Sequence, residues 1–361
     1  MLIQRLRVAS LRRLADVDLH PAPGINLIHG ENGSGKTSLL EAMHLMAHGR
    51  SFRGRVRDGL IRSGDPALEV FVEWHTNGGP VRRAGLRHAG GSWEARLDGQ
   101  PVAQLGELCQ ALAVVTFEPG SHALVDGGAE VRRRYVDWGL FHVEPGFLGT
   151  WRRYARALKQ RNSLLRSGRT HSELEAWEHE LSHAGEALHR HRETYVAQLA
   201  PVFQATLARL LPAAGEAVLS LQPGWRRQEL SLADALILAR DRDLTQGHTS
   251  VGPHRASLRL ELSGLPADSL SRGQAKLAAL GLLLAQATHL AALAGAWPVL
   301  QLDDLGSELD RRHQRLLVEW LASTGAQVFI TGTEIPVALG DLGLPATVFH
   351  VEHGMFVQAN P

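Results

Sequence analysis

Gly30-Glu31-Asn32-Gly33-Ser34-Gly35-Lys36-Thr37 follows a short β-prone run, Gly24-Ile25-Asn26-Leu27-Ile28-His29, and precedes a stretch from Ser38 to Met46 with helical periodicity. The octet satisfies G-x-x-x-x-G-K-[ST] and stands where that pattern has physical meaning, between a strand and a helix. Glycines let the backbone wrap an oxyanion with its N–H groups inward, and the positive end of the next helix adds to the field. Lys36 offers a compact charge to the β- and γ-phosphates of a nucleotide, and the Thr37 hydroxyl suits a Mg²⁺ ligand position. Chance produces the pattern about once in several hundred such chains. Three lysines stand against 35 arginines, so the lysine kept at position 36 marks a place that arginine would not serve.

The 361 residues exceed one average domain and call for a second lobe or a large insertion. Hydrophobic content of 44% and charged content of 21% exclude wholesale disorder. A formal net charge of +1 means that any nucleic-acid surface must be local. The single cysteine, Cys109, excludes a disulfide framework and a Cys-rich metal site. The start, Met1 to Arg7, brings charge in early and lacks a long apolar core, so no secretory leader is expected and a reducing, cytoplasmic setting is. Leu277 to Leu302 carries no formal charge, but Gln286, Thr288 and His289 interrupt it and Pro298 ends it. It is expected to be a buried helix of a soluble core, not a membrane span.

Residues 68–74, 81–87 and 93–97 read as short antiparallel strands between Gly-rich turns, and Leu112 to Phe117 as a buried strand. Beyond Pro145 the spacing turns helical. Trp151, Tyr154, Ala155, Leu158, Asn162 and Leu165 form one stripe; Leu174, Trp177, Leu181, Ala184, Leu188 and Tyr195 form a second, and a Ser-Gly-Arg-Thr turn joins them. Strand-like segments return at 219–221, 256–262, 299–302 and 327–331. A β-rich, then α, then α/β order predicts one α/β domain in two halves, 1–145 and 215–361, around an inserted helical lobe at 146–214.

Pro298-Val299-Leu300-Gln301-Leu302-Asp303-Asp304 is an apolar strand that delivers two acids at its C-terminal end. Beside a phosphate loop, Asp303 suits Mg²⁺ and Asp304 suits the orientation or deprotonation of an attacking water. Upstream, Leu270-Ser271-Arg272-Gly273-Gln274-Ala275-Lys276 opens the uncharged helix. Its serine is an ordinary N-cap by default, or a helix tip with a hydroxyl aimed at phosphate.

Phosphate loop, L-S-x-G-Q, apolar-D-D and then Ser307-Glu308-Leu309-Asp310 together resemble the ATP-binding-cassette ATPases, and more closely the RecF family of DNA-repair proteins related to SMC-type heads. The matching segments cover most of the chain. They are Gly30 to Glu41, Gly49-Arg50-Ser51-Phe52-Arg53, Arg132-Arg133-Arg134-Tyr135-Val136-Asp137, Lys159-Gln160-Arg161-Asn162, Gly252-Pro253-His254-Arg255, Leu270 to Lys276, and Asp303 through Asp310. The resemblance implies a P-loop cassette-type head of mixed sheets and helices carrying a helical lobe. It also implies ATP with Mg²⁺, and head-to-tail dimerisation in which each phosphate loop meets the Ser271, Arg272, Gly273 and Gln274 tip of a second copy, with Asp310 nearby. The dimer would clamp gapped DNA or a single-strand/duplex junction, work with the RecO and RecR proteins in recombinase loading, and take part in the SOS response.

Two departures from the wider cassette pattern bear on rate. The second acid is Asp304 instead of glutamate, and Thr331, Gly332 and Thr333 occupy the turn where a switch histidine usually stands. Both predict slow hydrolysis, a timer more than a motor. No Gln-loop is evident; Glu118 lies near where one belongs.

From Glu130 to Thr170 ten basic residues face three acidic ones, among them Arg132, Arg133, Arg134, Arg152 and Arg153. Between Arg50 and Arg62 five arginines, including Arg53 and Arg55, face one acid. Such local excess suits DNA-backbone binding, although a solvated face accounts for about half of such charges. Few aromatics are interleaved, so base stacking is not supported. His254 has no second ligand at metal spacing and is expected to be structural or nucleotide-sensing. Two other readings exist. An ATPase subunit of a membrane transporter conflicts with the 235 residues between Lys36 and Ser271; a weakly hydrolysing ATP-binding scaffold would touch DNA only in complex.

Overall fold

The computed structural model describes residues 1–54, 59–76, 78–167 and 171–359. Two compact units make up the chain: Met1–Ser121 with Leu280–Pro361, and His122–Ala279. Unit 1 opens with β1 (Leu2–Leu11), β2 (Leu14–Leu19), β3 (Ile25–His29), α1 (Lys36–His48), β4 (Ala67–His75), β5 (Arg82–Ala89), β6 (Ser92–Leu97), β7 (Gln100–Pro101), α2 (Leu105–Ala111) and β8 (Val114–Phe117). Unit 2 holds α3 (Ala123–Asp126), α4 (Ala129–Val143), α5 (Phe147–Ser167), α6 (His171–Leu210), β9 (Ala217–Gln222), α7 (Leu232–Gln246), β10 (Ser257–Leu262) and β11 (Leu265–Pro266). Helix α8 (Arg272–Ala294) returns the chain to unit 1, which ends with β12 (Val299–Leu302), α9 (Leu305–Glu308), α10 (Arg311–Thr324), β13 (Val328–Gly332), α11 (Val337–Asp341), β14 (Ala346–Glu352) and β15 (Met355–Ala359).

Unit 1 contains two six-stranded sheets. One is antiparallel, in the order β2-β1-β4-β5-β6-β7. Its strands alternate: Leu6 and Val8 pair with Val72 and Val70 on the buried face, while Arg5 and Arg7 point to solvent. The other runs β15-β14-β3-β13-β12-β8, parallel throughout except for the β14–β15 hairpin. Strands β8, β12 and β13 are buried at every position, as continuous apolar runs of a parallel sheet covered on both faces should be. Helix α1 is buried almost all round; Leu39, Leu40, Met43, Leu45 and Met46 share one core with Leu6, Val72 and Trp74 of the first sheet and Val299 and Phe329 of the second. A helix with hardly any face on water needs such a setting, and its polar side chains Thr37, Glu41 and His44 find partners inside it.

In unit 2, α5 and α6 form the expected helical pair. Leu174, Leu181, Ala184, Leu188 and Tyr195 are all buried along α6, while Trp177 is half-buried. Most of the predicted turn between the helices lies outside the described residues. The compact unit is wider than the 146–214 span of helical texture. Helix α4 packs on α6 and β10, and β9 packs along α6, so the three-stranded β11-β10-β9 sheet groups with the helices. Helix α8 is long and apolar enough to cross a membrane, and 67% of its most apolar stretch is buried within the fold.

Candidate nucleotide-binding site

Parallel strands bring their C-terminal ends to one edge, where ligands of open α/β sheets collect. Here β3 ends at the phosphate loop, β12 at Asp303 and Asp304, β13 at Thr331, and β8 at Glu118. The register places Leu302 beside both Ile330 and Phe117, so the acids, the threonine and Glu118 lie in adjoining rows. The Asp303 amide donates to the Phe117 carbonyl at 2.8 Å.

The phosphate loop turns tightly enough that a Cβ at Gly30 would collide with the Val351 carbonyl, and its φ of +156 adds a second reason for glycine. Lys36 opens α1, is 8% exposed, and donates from Nζ to the carbonyls of Gly30 at 2.7 Å and Glu31 at 2.8 Å. Burial lowers its proton affinity, against the pull of Asp304 and Asp303. Ser34 Oγ is buried without a hydrogen-bond partner among the described residues. A buried hydroxyl left over in a glycine-rich loop at a helix N-terminus fits an anionic oxygen.

Thr37 donates from Oγ1 to Asp303 Oδ1 at 2.9 Å, and Thr331 donates to the same oxygen at 2.7 Å. The Asp304 amide in turn donates to Thr331 Oγ1 at 2.9 Å. Thr331 thus fastens both acids. Asp303 is 4% exposed, and burial raises its pKa while the two hydroxyls oppose that rise. A buried carboxylate beside a threonine hydroxyl is a hard-oxygen pair of the type Mg²⁺ takes. Asp304 adopts φ +52 at the cap of α9. Arg53, read from sequence as a DNA contact, lies close enough to Asp303 to favour its charged form. Its loop is tied to α1 by Ser51, which hydrogen-bonds Glu41, and Arg12 holds the same carboxylate at 2.9 Å.

Ser271 and Gln274 form a reciprocal cap on α8: the Ser271 amide reaches Gln274 Oε1 at 3.0 Å, and the Gln274 amide reaches Ser271 Oγ at 3.3 Å. Ser271, Arg272, Gly273 and Gln274 are all exposed. Asp310 is the N-cap of α10; it accepts from the His313 amide at 2.9 Å and its ring at 2.7 Å, which holds its carboxyl below the usual range. Glu118 accepts from the Gly120 amide at 2.6 Å. Behind the acids runs a buried polar row that sequence reading missed. Thr116 Oγ1 donates to Gln301 Oε1 at 2.8 Å and meets His44 Nδ1 at 3.0 Å.

The arginines of unit 2 mostly serve the fold. Arg132 donates to the Gly127 carbonyl at 2.6 Å and to Ser257, and Arg133 to the Ala256 carbonyl at 2.8 Å. Arg134 pairs with Glu130, and Arg153 with Glu180 at 3.0 Å. Arg50 and Arg152 are exposed, and Arg55 lies outside the described residues. Arg161 is fully buried between Glu178 (2.9 Å) and Asp243 (2.7 Å), with Thr249 also on its Nη1. Asn162 accepts from the Thr249 amide and hydroxyl, and Arg192 bridges Asp137 to the Pro253 carbonyl. His254 joins the same cluster. Its Nδ1 meets the Tyr154 hydroxyl at 2.6 Å, its Nε2 meets the Thr249 carbonyl, and burial lowers its pKa to about 4. Three of the segments that carried the resemblance, around 132–137, 159–162 and 252–255, therefore meet around one loop. Among the described residues no group of three or more His, Cys, Asp or Glu could hold a metal.

A family model described as the RecF/RecN/SMC N terminal domain matches residues 2–340. The chain is 59% identical, over 99% of each chain, to a protein named DNA replication and repair protein RecF from Stenotrophomonas maltophilia. It is 39% identical over 98% of each chain to a protein of the same name from Shewanella baltica. A solved structure described as the recombination mediator protein RecF-ATP in the RecFOR pathway superposes with a TM-score of 0.89 at 25% identity, covering 99% of this chain and 98% of that one. An Smc head bound to the C-winged helix domain of ScpA superposes at 0.60 with 14% identity, covering 99% and 97%, a likeness of fold alone. By this family match and these full-length identities, the chain belongs to the RecF/RecN/SMC family and, within it, to the RecF DNA replication and repair proteins.

Proposed function

We propose that this chain binds ATP at the phosphate loop and uses it to join two copies head to tail around DNA, in recombinational repair and replication restart. Lys36 and the loop amides would hold the phosphates. Thr37 and Asp303 would hold Mg²⁺, which supplies charge neutralisation on the phosphate oxygens. Asp304 would orient the attacking water. The observation that carries the reading is the convergence of Lys36, Thr37, Asp303 and Thr331 at one sheet edge. Support for the dimer comes from the exposed tip at Ser271 to Gln274, whose hydroxyl and helix terminus suit a phosphate presented by a second copy.

Slow hydrolysis would release the pair, since Asp304 is one methylene short and Thr331 stands in the switch position. Gapped or junction DNA, RecO and RecR are the partners in this reading, the setting is the cytoplasm, and the SOS response follows from the same role. The similar solved structure, a RecF-ATP protein of the RecFOR pathway, supports it. Mass in solution tests it: wild type should dimerise with ATP, whereas Lys36→Arg and Asp303→Asn should stay monomeric. Monomers at every ATP concentration in the wild type would refute the nucleotide-driven dimer. A steady-state rate of tens per second without a partner would refute the timer.

A further inference from the structure

The phosphate loop is gripped from outside by two turns far apart in sequence. One is the β1–β2 turn, where Arg13 Nη1 donates to the Gly33 carbonyl at 2.9 Å. The other is the β14–β15 turn, where the Gly354 amide donates to the Ser34 carbonyl at 2.9 Å. Strand β14 runs parallel to β3 with His350 opposite His29, which leads Val351 up against Gly30 and sets the turn beside the loop.

We infer that the turn of the β14–β15 hairpin, through Gly354, is a positioning element of the phosphate loop that orients the Ser34–Gly35 peptide for phosphate. In a trans peptide the carbonyl and the following N–H point in opposite directions, and there is no cis bond among the described residues. Holding the Ser34 carbonyl toward the hairpin therefore fixes the Gly35 N–H on the other side, away from the hairpin. Loop amides serve an anion only if their carbonyls are turned out and satisfied elsewhere. Arg13 and Gly354 satisfy two consecutive ones. The hairpin contributes a backbone N–H, so no side-chain motif announces the role.

Gly354 itself is constrained. It sits at φ +81, and a Cβ there would stand 2.9 Å from the Arg13 carbonyl, so any larger residue pushes the two gripping turns apart. Gly343 offers a contrast in the same segment, with φ +59 and open space around its Cα. The turn leads straight into Met355 and Val357, which are 66% and 63% exposed. The inference rests on the proposed nucleotide site and adds a requirement to it: nucleotide binding and the order of the hairpin are coupled, so each strengthens the other.

The test uses the full chain, a fluorescent ADP analogue and hydrogen exchange. Gly354→Val should weaken ADP binding about tenfold, the loss expected when one orienting hydrogen bond is removed, while Gly343→Ala stays within twofold of wild type. In the wild type, ADP should slow exchange at the Gly354 amide, and Lys36→Ala should show no such slowing. Binding by folded Gly354→Val within twofold of wild type overturns the inference and leaves the nucleotide site standing. If Gly354→Val does not fold, the exchange measurement decides, and unchanged exchange at Gly354 in saturating ADP overturns it. Failure of the wild type to bind ADP or ATP at all would instead refute the site.

Discussion

The phosphate loop and the arginine cluster of unit 2 manage positive charge in opposite ways. In the loop one lysine, Lys36, stands among backbone amides, with two carbonyls on its ammonium. In unit 2 Arg161 is buried between two carboxylates, Arg240 shares one of them, and Arg192 spans Asp137 and a carbonyl. The first arrangement leaves donors for a ligand; the second consumes nearly every donor internally. Charge counted along a sequence cannot tell these apart, because an arginine reaches several ångströms in any direction its neighbours allow.

The largest effect should fall on the consumed charges. Arg161→Leu leaves Glu178 and Asp243 buried without their shared partner and should cost about 3–5 kcal/mol in urea unfolding monitored for unit 2. ADP affinity measured below the transition should hardly move, and a large loss of affinity there would break the contrast. Lys36→Ala should do the reverse: nucleotide affinity falls about 100-fold, on the order of 3 kcal/mol by titration, with unfolding nearly unchanged.

Protonation separates the regions next. The pKa of His254 is lowered to about 4 from an ordinary 6.5, so the folded state binds fewer protons than the unfolded one. Stability of unit 2 should therefore fall as pH drops from 6.5 toward 4, by on the order of 3 kcal/mol in all, and His254→Gln should flatten that slope. Asp303 has the opposite sign. Its raised pKa destabilises the folded state above that value, and the penalty disappears below the ordinary 3.8. Asp303→Asn should raise the melting midpoint at pH 7 by about 1–3 °C while abolishing hydrolysis. A lowered midpoint would mean that the two threonine hydroxyls outweigh burial.

The smallest expected changes concern DNA. Arg134→Ala and Arg153→Ala remove exposed pairs and should leave stability nearly unchanged. If either side chain contacts phosphate, it should lower the salt slope of DNA affinity by about 1. Unchanged slopes in both would leave Arg50, Arg53 and Arg152 as the candidates.

Legibility followed the same division. The glycine octet, the strand at 299–302 and the acids after it could be read directly, because each depends on local spacing or on an unbroken apolar run. The position of Thr331 was visible, but not its hold on both acids, since that depends on which strands neighbour each other. The gripping turns at Arg13 and Gly354 left no signal beyond a glycine in a turn. Helices α4 and α7 are hard to read because small or polar residues take several of their buried positions, Gly139 in α4 and Ala235, Ala239 and Asp243 in α7. The arginine run looked like a surface. The partners of its Arg153 and Arg161, namely Glu180, Glu178 and Asp243, lie in other helices, so the pairing depends on tertiary structure.

The strand order β3-β13-β12-β8 also bears on biosynthesis. Strands β3 and β8 leave the ribosome early, yet they are not neighbours; the slot between them is filled only by β12 and β13, made after all of unit 2. A nascent chain ending near Ser121 therefore leaves both edges of β3 and the inner edge of β8 unpaired, a hazard for misassociation. It also lacks Asp303 altogether, so a truncated product would retain the glycine loop without the carboxylate that Thr37 and Thr331 hold.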